Sequence, residues 1–169
     1  MSDIAAAYLT ESIKCFRAYK KLGEGALAQV HDDEWSQLID PEANSIALIV
    51  KHMAGNMRSR WTDFLTSDGE KPDRNRDQEF IQDTALTRQQ VMLWWEAGWK
   101  CVFDAMENLK PQDLDAKVYI RSREHTVLQA INRQIAHYSY HIGQIVLLAK
   151  HHRGAEWKSL SIPKNRAIS

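Results

Sequence analysis

The run His137-Tyr138-Ser139-Tyr140-His141 sets two imidazoles four positions apart. On a helix of 3.6 residues per turn such a pair lies only ~40° apart around the axis, so both rings project to one side and can share one ion. Imidazole suits zinc, nickel, copper and iron alike, so the pair points to a divalent transition metal without choosing one. A pair alone is an incomplete ligand set, and on its own it is a weak signal, because a histidine at a core margin more often serves packing. The chain has seven histidines. His31, His125, His151 and His152 fall near helix ends or in loops, where the last two complement the negative end of a helix. His52 instead falls inside a helical segment, with Leu48, Ile49 and Asn56 as its neighbours at three- and four-residue spacing. Three protein imidazoles leave one position for water or substrate, the arrangement of a catalytic rather than a structural site. Asn56, Gln134 and Gln144 lie within about a turn of these histidines and are candidates to orient them. Arg58, Arg60, Arg74 and Arg76 are candidate contacts for an anionic cofactor or substrate.

Four helices are expected to carry these residues, because glycine and proline cluster between stretches with helical apolar periodicity. The first covers residues 4–30, with Leu9, Ile13, Phe16 and Leu27 on one stripe and a bend or fraying expected at Gly23 and Gly25. The second covers 44–65, opens on Asn44 as N-cap, and buries Ile46, Ile49, Val50, Met53, Met57, Trp61 and Phe64. A charged loop containing Asp68-Gly69 and Pro72 follows, expected to be solvated surface. The third helix, 87–109, starts at a Thr87/Gln90 capping box, and the fourth, 126–152, at a Thr126/Gln129 box. Between them, Ala116-Lys117-Val118-Tyr119-Ile120 is β-prone and short enough for a strand or hairpin arm. In the last helix, Val127, Ile131, Ile135, Tyr138, Ile142, Ile145 and Ala149 define the buried arc, and His137 and His141 sit on its margin. A tail of little periodicity runs over 155–169. The whole, 1–169, reads as one all-α domain, a four-helix bundle.

Composition narrows the function classes. Formal net charge is zero, so no basic excess drives binding to nucleic acid. No apolar run approaches the ~20 residues that a membrane span needs. Met1-Ser2-Asp3-Ile4 lacks the basic start of a signal peptide. Cys15 and Cys101 sit in apolar-periodic segments and read as buried, inert thiols, which suits a reducing cytoplasm. Six tryptophans are more aromatic surface than one small core readily hides, which suggests a homodimer.

The histidine in the second helix, with the HxxxH followed by Gly143-Gln144 in the fourth, resembles the DinB/YfiT-like superfamily of metal-binding four-helix bundles. The segment from His52 to Leu65, with Asp68-Gly69-Glu70-Lys71-Pro72-Asp73-Arg74 and Arg76-Asp77, is similar to one subfamily of it without assigned activity. The likeness covers nearly the whole chain. It implies an up-up-down-down bundle, a nickel or zinc site on His52, His137 and His141, and frequent homodimers. The superfamily includes S-transferases that use low-molecular-weight thiols such as bacillithiol or mycothiol. The resemblance therefore implies a metal-dependent enzyme that activates such a thiol, or water, for a small-molecule substrate. The competing expectation is a non-catalytic metal-binding protein, a stress-response or small-ligand-binding dimer. A fourth protein ligand would favour the latter, and a coordination position facing a pocket the former.

Overall fold

A computed structural model describes residues 2–81 and 85–162. Four long helices carry the chain: α1 (Ser2–Leu27), α2 (Ile46–Trp61), α3 (Arg88–Asn108) and α4 (Val127–Arg153). Helix α2 packs beside α3 and α4, and α1 beside α4 and α3, an arrangement consistent with a helical bundle. One aromatic from each helix meets at the centre. Phe16 lies 5.7 Å from Trp61 and 5.8 Å from Tyr138 between ring centroids, and Trp99 lies 5.7 Å from Tyr138. Edge-on and tilted pairs of this kind add to the burial of large apolar surfaces.

Local chemistry sets the helix ends, and some differ from the sequence expectation. Helix α2 is capped by Ser45, whose Oγ accepts the Leu48 N–H at 3.3 Å, and not by Asn44. It stops at Trp61, because Thr62 is extended and Asp63 takes a left-handed φ of 49°. Phe64 and Leu65, expected on the helix, therefore lie in the turn beyond it. Thr87 accepts the Gln90 N–H at the start of α3. Both arms of the Thr126/Gln129 box close at the start of α4. Helix α1 runs unbroken through Gly23 and Gly25 and ends at Leu27. Gly23 makes room for Trp95, whose indole lies where a Cβ would be.

The β-prone segment is one arm of a hairpin, β1 (Lys117–Ile120) paired antiparallel with β2 (Arg123–Thr126). Arg121 and Ser122 form its two-residue turn, both at positive φ, as a primed hairpin turn requires. The charged loop after α2 is not solvated surface throughout. Gly69 donates its N–H to Tyr119 O at 2.7 Å and accepts from Ser59 Oγ at 2.8 Å, which straps the loop between the hairpin and α2. It then leads into a short 3-10 turn, Asp77–Phe80.

Trp35, Trp61, Trp95 and Trp99 are all in the core, and Trp94 and Trp157 are half-buried. One core thus hides most of the tryptophan surface, which removes the reason the sequence offered for a second copy. Cys15 and Cys101 are free thiols of intermediate burial, not fully buried ones. Of the 155–169 tail, residues 163–169 lie outside the described residues. Before them, Leu160 packs against Gly25 and the Lys158 N–H reaches Gln29. No helix among the described residues is long and apolar enough to cross a membrane.

Candidate metal centre

The side-by-side packing of α2 and α4 brings His52 against His137 and His141. Ring centroids are 5.0 Å apart for His52–His141, 5.5 Å for His52–His137 and 4.6 Å for His137–His141. One ligand atom from each of the three lies within 4.8 Å of the others, close enough to meet on one ion. Tyr138, wholly buried, anchors this turn of α4. Its hydroxyl accepts from Trp61 Nε1 at 2.9 Å and donates to Asn56 Oδ1 at 3.2 Å. One residue before and three after Tyr138, His137 and His141 fall together on the side of α4 that meets His52, His137 half-buried and His141 buried.

Polar partners fix two of the rings. His52 Nδ1 lies 2.8 Å from Glu79 Oε2, and Glu79 is itself gripped by Arg74, whose Nε and Nη2 donate at 2.8 and 2.9 Å. Glu79 can reach that position because residue 55 is glycine: a Cβ there would run into the carboxylate. His141 Nδ1 lies 2.9 Å from Gln144 Oε1. With acceptors at Nδ1, the protons of neutral His52 and His141 sit on that nitrogen and leave Nε2 bare. His141 Nε2 is 3.1 Å from His137 Nε2, and His137 Nδ1 is buried without a partner. Nδ1 of His137 lacks a partner whichever nitrogen carries the proton, and with the proton on Nδ1 the Nε2 lone pairs of His137 and His141 face each other, an arrangement that a cation between them relieves. The donor set therefore fits a metal ion bound through the Nε2 atoms.

Burial first, and then the other two histidines with Arg60 and Arg74, pushes His137 down to about 3. Burial likewise carries His141 down to about 4, against the upward pull of Gln144. Both are neutral at pH 7, the form that binds metal. Burial raises the Glu79 carboxyl, but the hydrogen bonds from His52 and Arg74 outweigh it and hold it below its ordinary range.

The triad opens into a cavity of about 520 Å3. Of the candidates read from sequence, Asn56, Gln134, Arg60, Arg74 and Arg76 line it. Gln144 stands behind His141. Arg58 points elsewhere, to an exposed pairing with Asp73 at 2.9 Å. Glu79, Arg121, Arg133 and Phe80, whose ring lies tilted 4.7 Å from His52, were not among the candidates. His31, His125, His151 and His152 take no part in the group.

Fold and site together define a mostly helical protein with a three-histidine group able to hold a metal ion. The family model described as protein of unknown function (DUF1572) matches residues 3–166, and the chain belongs to that family. No curated protein matches the chain.

Proposed function

We propose that this chain is a DinB/YfiT-like bundle of up-up-down-down topology that binds one divalent metal, nickel or zinc, on His52, His137 and His141. It uses the ion as an S-transferase-like enzyme on a low-molecular-weight thiol, or on water. The observation that carries this reading is the convergence of three imidazoles at a solvent-facing cavity. A metal bound there supplies a Lewis acid that lowers the proton affinity of a thiol or a water. Glu79 and Gln144 hold protons on Nδ1 of His52 and His141, so that Nε2 of each stays a donor to metal. The Trp61–Tyr138–Asn56 chain holds the Asn56 amide against the cavity, where it can orient a bound molecule.

Among the described residues no fourth histidine, cysteine or carboxylate joins the group, which supports a coordination position left to substrate. The alternative, a non-catalytic stress-response or ligand-binding dimer, draws on the fact that the triad bridges two helices and would staple α2 to α4. A neutral chain and a cavity of about 520 Å3 favour a small-molecule partner over nucleic acid. The resemblance to DinB/YfiT-like bundles, and no longer the tryptophan count, supports a homodimer, and the two free thiols suit a reducing cytoplasm.

Purified protein should carry close to one transition-metal ion per chain by elemental analysis. His137→Ala should lose most of it, and His151→Ala should keep it. Equal metal content in the two variants refutes the ligand assignment. Cobalt-loaded protein should gain an intense near-ultraviolet charge-transfer band when a low-molecular-weight thiol is added. Its absence at full cobalt occupancy removes the thiol reading and leaves water activation or plain metal binding.

A further inference from the structure

The same cavity holds more positive charge than its acidic residues neutralise. Arg60, Arg74, Arg76, Arg121 and Arg133 all line it. The carboxylates that pair with them are Glu70, which meets Arg60, Arg74 and Arg121, and Glu79, which meets Arg74. Asp68, beside Arg121, accepts from the backbone N–H groups of Glu70, Arg121 and Ser122 and adds a third negative charge. Five guanidiniums against these three carboxylates leave two formal positive charges around the cavity among the described residues, in a chain whose net charge is zero. The excess has identifiable owners. Arg76 lies over the Phe80 ring at 5.2 Å and pairs with no carboxylate among the described residues. Arg133 has no hydrogen-bond or ion-pair partner among them and projects from α4, four residues before His137.

Two of the residues that line the cavity also carry a buried polar atom without a partner. Arg60, 5% exposed, keeps a buried Nε–H without an acceptor. Gln134, 3% exposed, keeps a buried Oε1 without a donor. Unsatisfied buried polar groups are uncommon, and several in one cavity mark a place where a ligand or ordered water completes the set. A divalent cation on the histidines would add to the positive potential. Low-dielectric walls focus such a field into the cavity.

We infer that the substrate or cofactor of this cavity is a small oxyanion-bearing molecule, its carboxylate or phosphate held by Arg76 and Arg133 while its reactive end faces the histidines. This rests on the proposed metal site, whose ligand it specifies. Guanidinium forks match both oxyanions in two-point contact, so the shared chemistry is the oxyanion itself. A cavity of about 520 Å3 suits a small metabolite and not a polymer.

The test titrates cobalt-loaded protein with 2-mercaptoethanol, which is neutral, and with mercaptosuccinate, which carries two carboxylates, followed through the cobalt bands. Calorimetry with succinate and with inorganic phosphate separates the two oxyanions. Mercaptosuccinate should bind at least about tenfold tighter than 2-mercaptoethanol, as expected for one charge-assisted contact. That ratio should collapse in Arg76→Gln and in Arg133→Gln, both at exposed positions where folding is not at stake. It should persist in Arg58→Gln, whose side chain lies outside the cavity. Should neither thiol perturb cobalt, binding of succinate or phosphate that is lost in Arg133→Gln still upholds the oxyanion site while refuting thiol activation. Equal affinities of the two thiols, a preference that survives both cavity variants, or no binding of any of the four probes overturns the inference.

Discussion

Glu79→Gln separates two tasks that one carboxylate performs. The substitution keeps the shape of the side chain and one carbonyl oxygen, but removes the charge that faces both His52 and Arg74. At His52 the loss is in ring orientation and basicity. Removing such an outer partner of a metal-binding histidine typically lowers metal affinity about 10–100-fold. An amide oxygen can still accept the Nδ1 proton at 2.8 Å, so the low end, about tenfold or 1.4 kcal/mol, is expected. At Arg74 the loss is larger. Its side chain is only 4% exposed, and without Glu79 its remaining counter-charge is Glu70 at 3.3 Å. Breaking a buried ion pair from one side costs about 3–5 kcal/mol, and the surviving Glu70 contact should hold the cost near 2–3 kcal/mol.

The two effects fall on different measurements. The Arg74 cost appears in urea unfolding of metal-free protein. The His52 cost appears in competition with a chromogenic chelator, because both folded forms already bear the same Arg74 strain. Arg74→Gln provides the control of opposite sign. It should destabilise the metal-free protein, yet leave metal affinity equal to or above that of the parent, since a cation next to the site is gone while Glu79 still holds His52. A Glu79→Gln protein that unfolds more easily but binds metal within threefold of the parent would refute the role at His52. Glu79 would then serve only to neutralise Arg74.

Gly55→Ala should reproduce part of this effect from the other side of the contact, because its Cβ collides with the Glu79 carboxylate. Weaker chelator-resistant metal binding with helix content unchanged by circular dichroism is the expected result, and unchanged binding contradicts it. Acid should weaken the metal-free protein well before its carboxylates titrate. Burial and neighbouring charge hold His137 at about 3 and His141 at about 4, whereas both titrate near 6.5 in the unfolded chain. Between those values the unfolded chain binds the extra protons, so stability falls as pH falls, by about 1.4 kcal/mol per pH unit for each excess proton. Glu70 and Glu79, held below their ordinary 4.5, add to this only at lower pH. Urea midpoints that stay level from pH 7 to pH 5 would contradict the shift. Light scattering should give a dimer mass, and a monomer mass across a wide concentration range would refute that expectation.

The periodic parts of the chain were legible because they are local. Apolar residues at three- and four-residue spacing marked α4, and Thr126 with Gln129 fixed its start to within a residue. The spacing of His137 and His141 on one helix side follows from helix geometry alone, and the margin expected from Tyr138 and Ile142 holds for half-buried His137, whereas His141 is buried. The end of α2 was not legible in the same way. Trp61, Phe64 and Leu65 continue a helical pattern, but Asp63 turns left-handed, and Phe64 satisfies its apolar character by packing 4.8 Å from Trp61 outside the helix. Tryptophan number misled for a related reason. Abundance does not say where a side chain goes: Gly23 leaves room for Trp95, and Gly98 lets α3 approach α2 at Ala54, with Trp95 and Trp99 both inside the core.

What escaped the sequence reading is the set of contacts that needs the loop after α2 to fold back. Glu79 lies 27 residues from His52, beyond any helical spacing, and nothing around it distinguishes it from other acidic residues in a charged stretch. Its role depends on Gly69 pairing with Tyr119, on Ser59 holding the loop, and on the missing Cβ at Gly55. Of those, only Gly55 leaves a local trace, a glycine inside a helix where alanine would be about 1 kcal/mol better. Such a glycine needs a reason, and here a carboxylate fills the space it leaves. Arg133 escaped for the reverse reason. It sits on a well-read helix, but an arginine on the exposed side of α4 is ordinary until Arg76 and Arg121 arrive from two other segments and leave its charge without a partner. Charge excess in a cavity is a property of the assembled wall, and no single segment of the chain carries it.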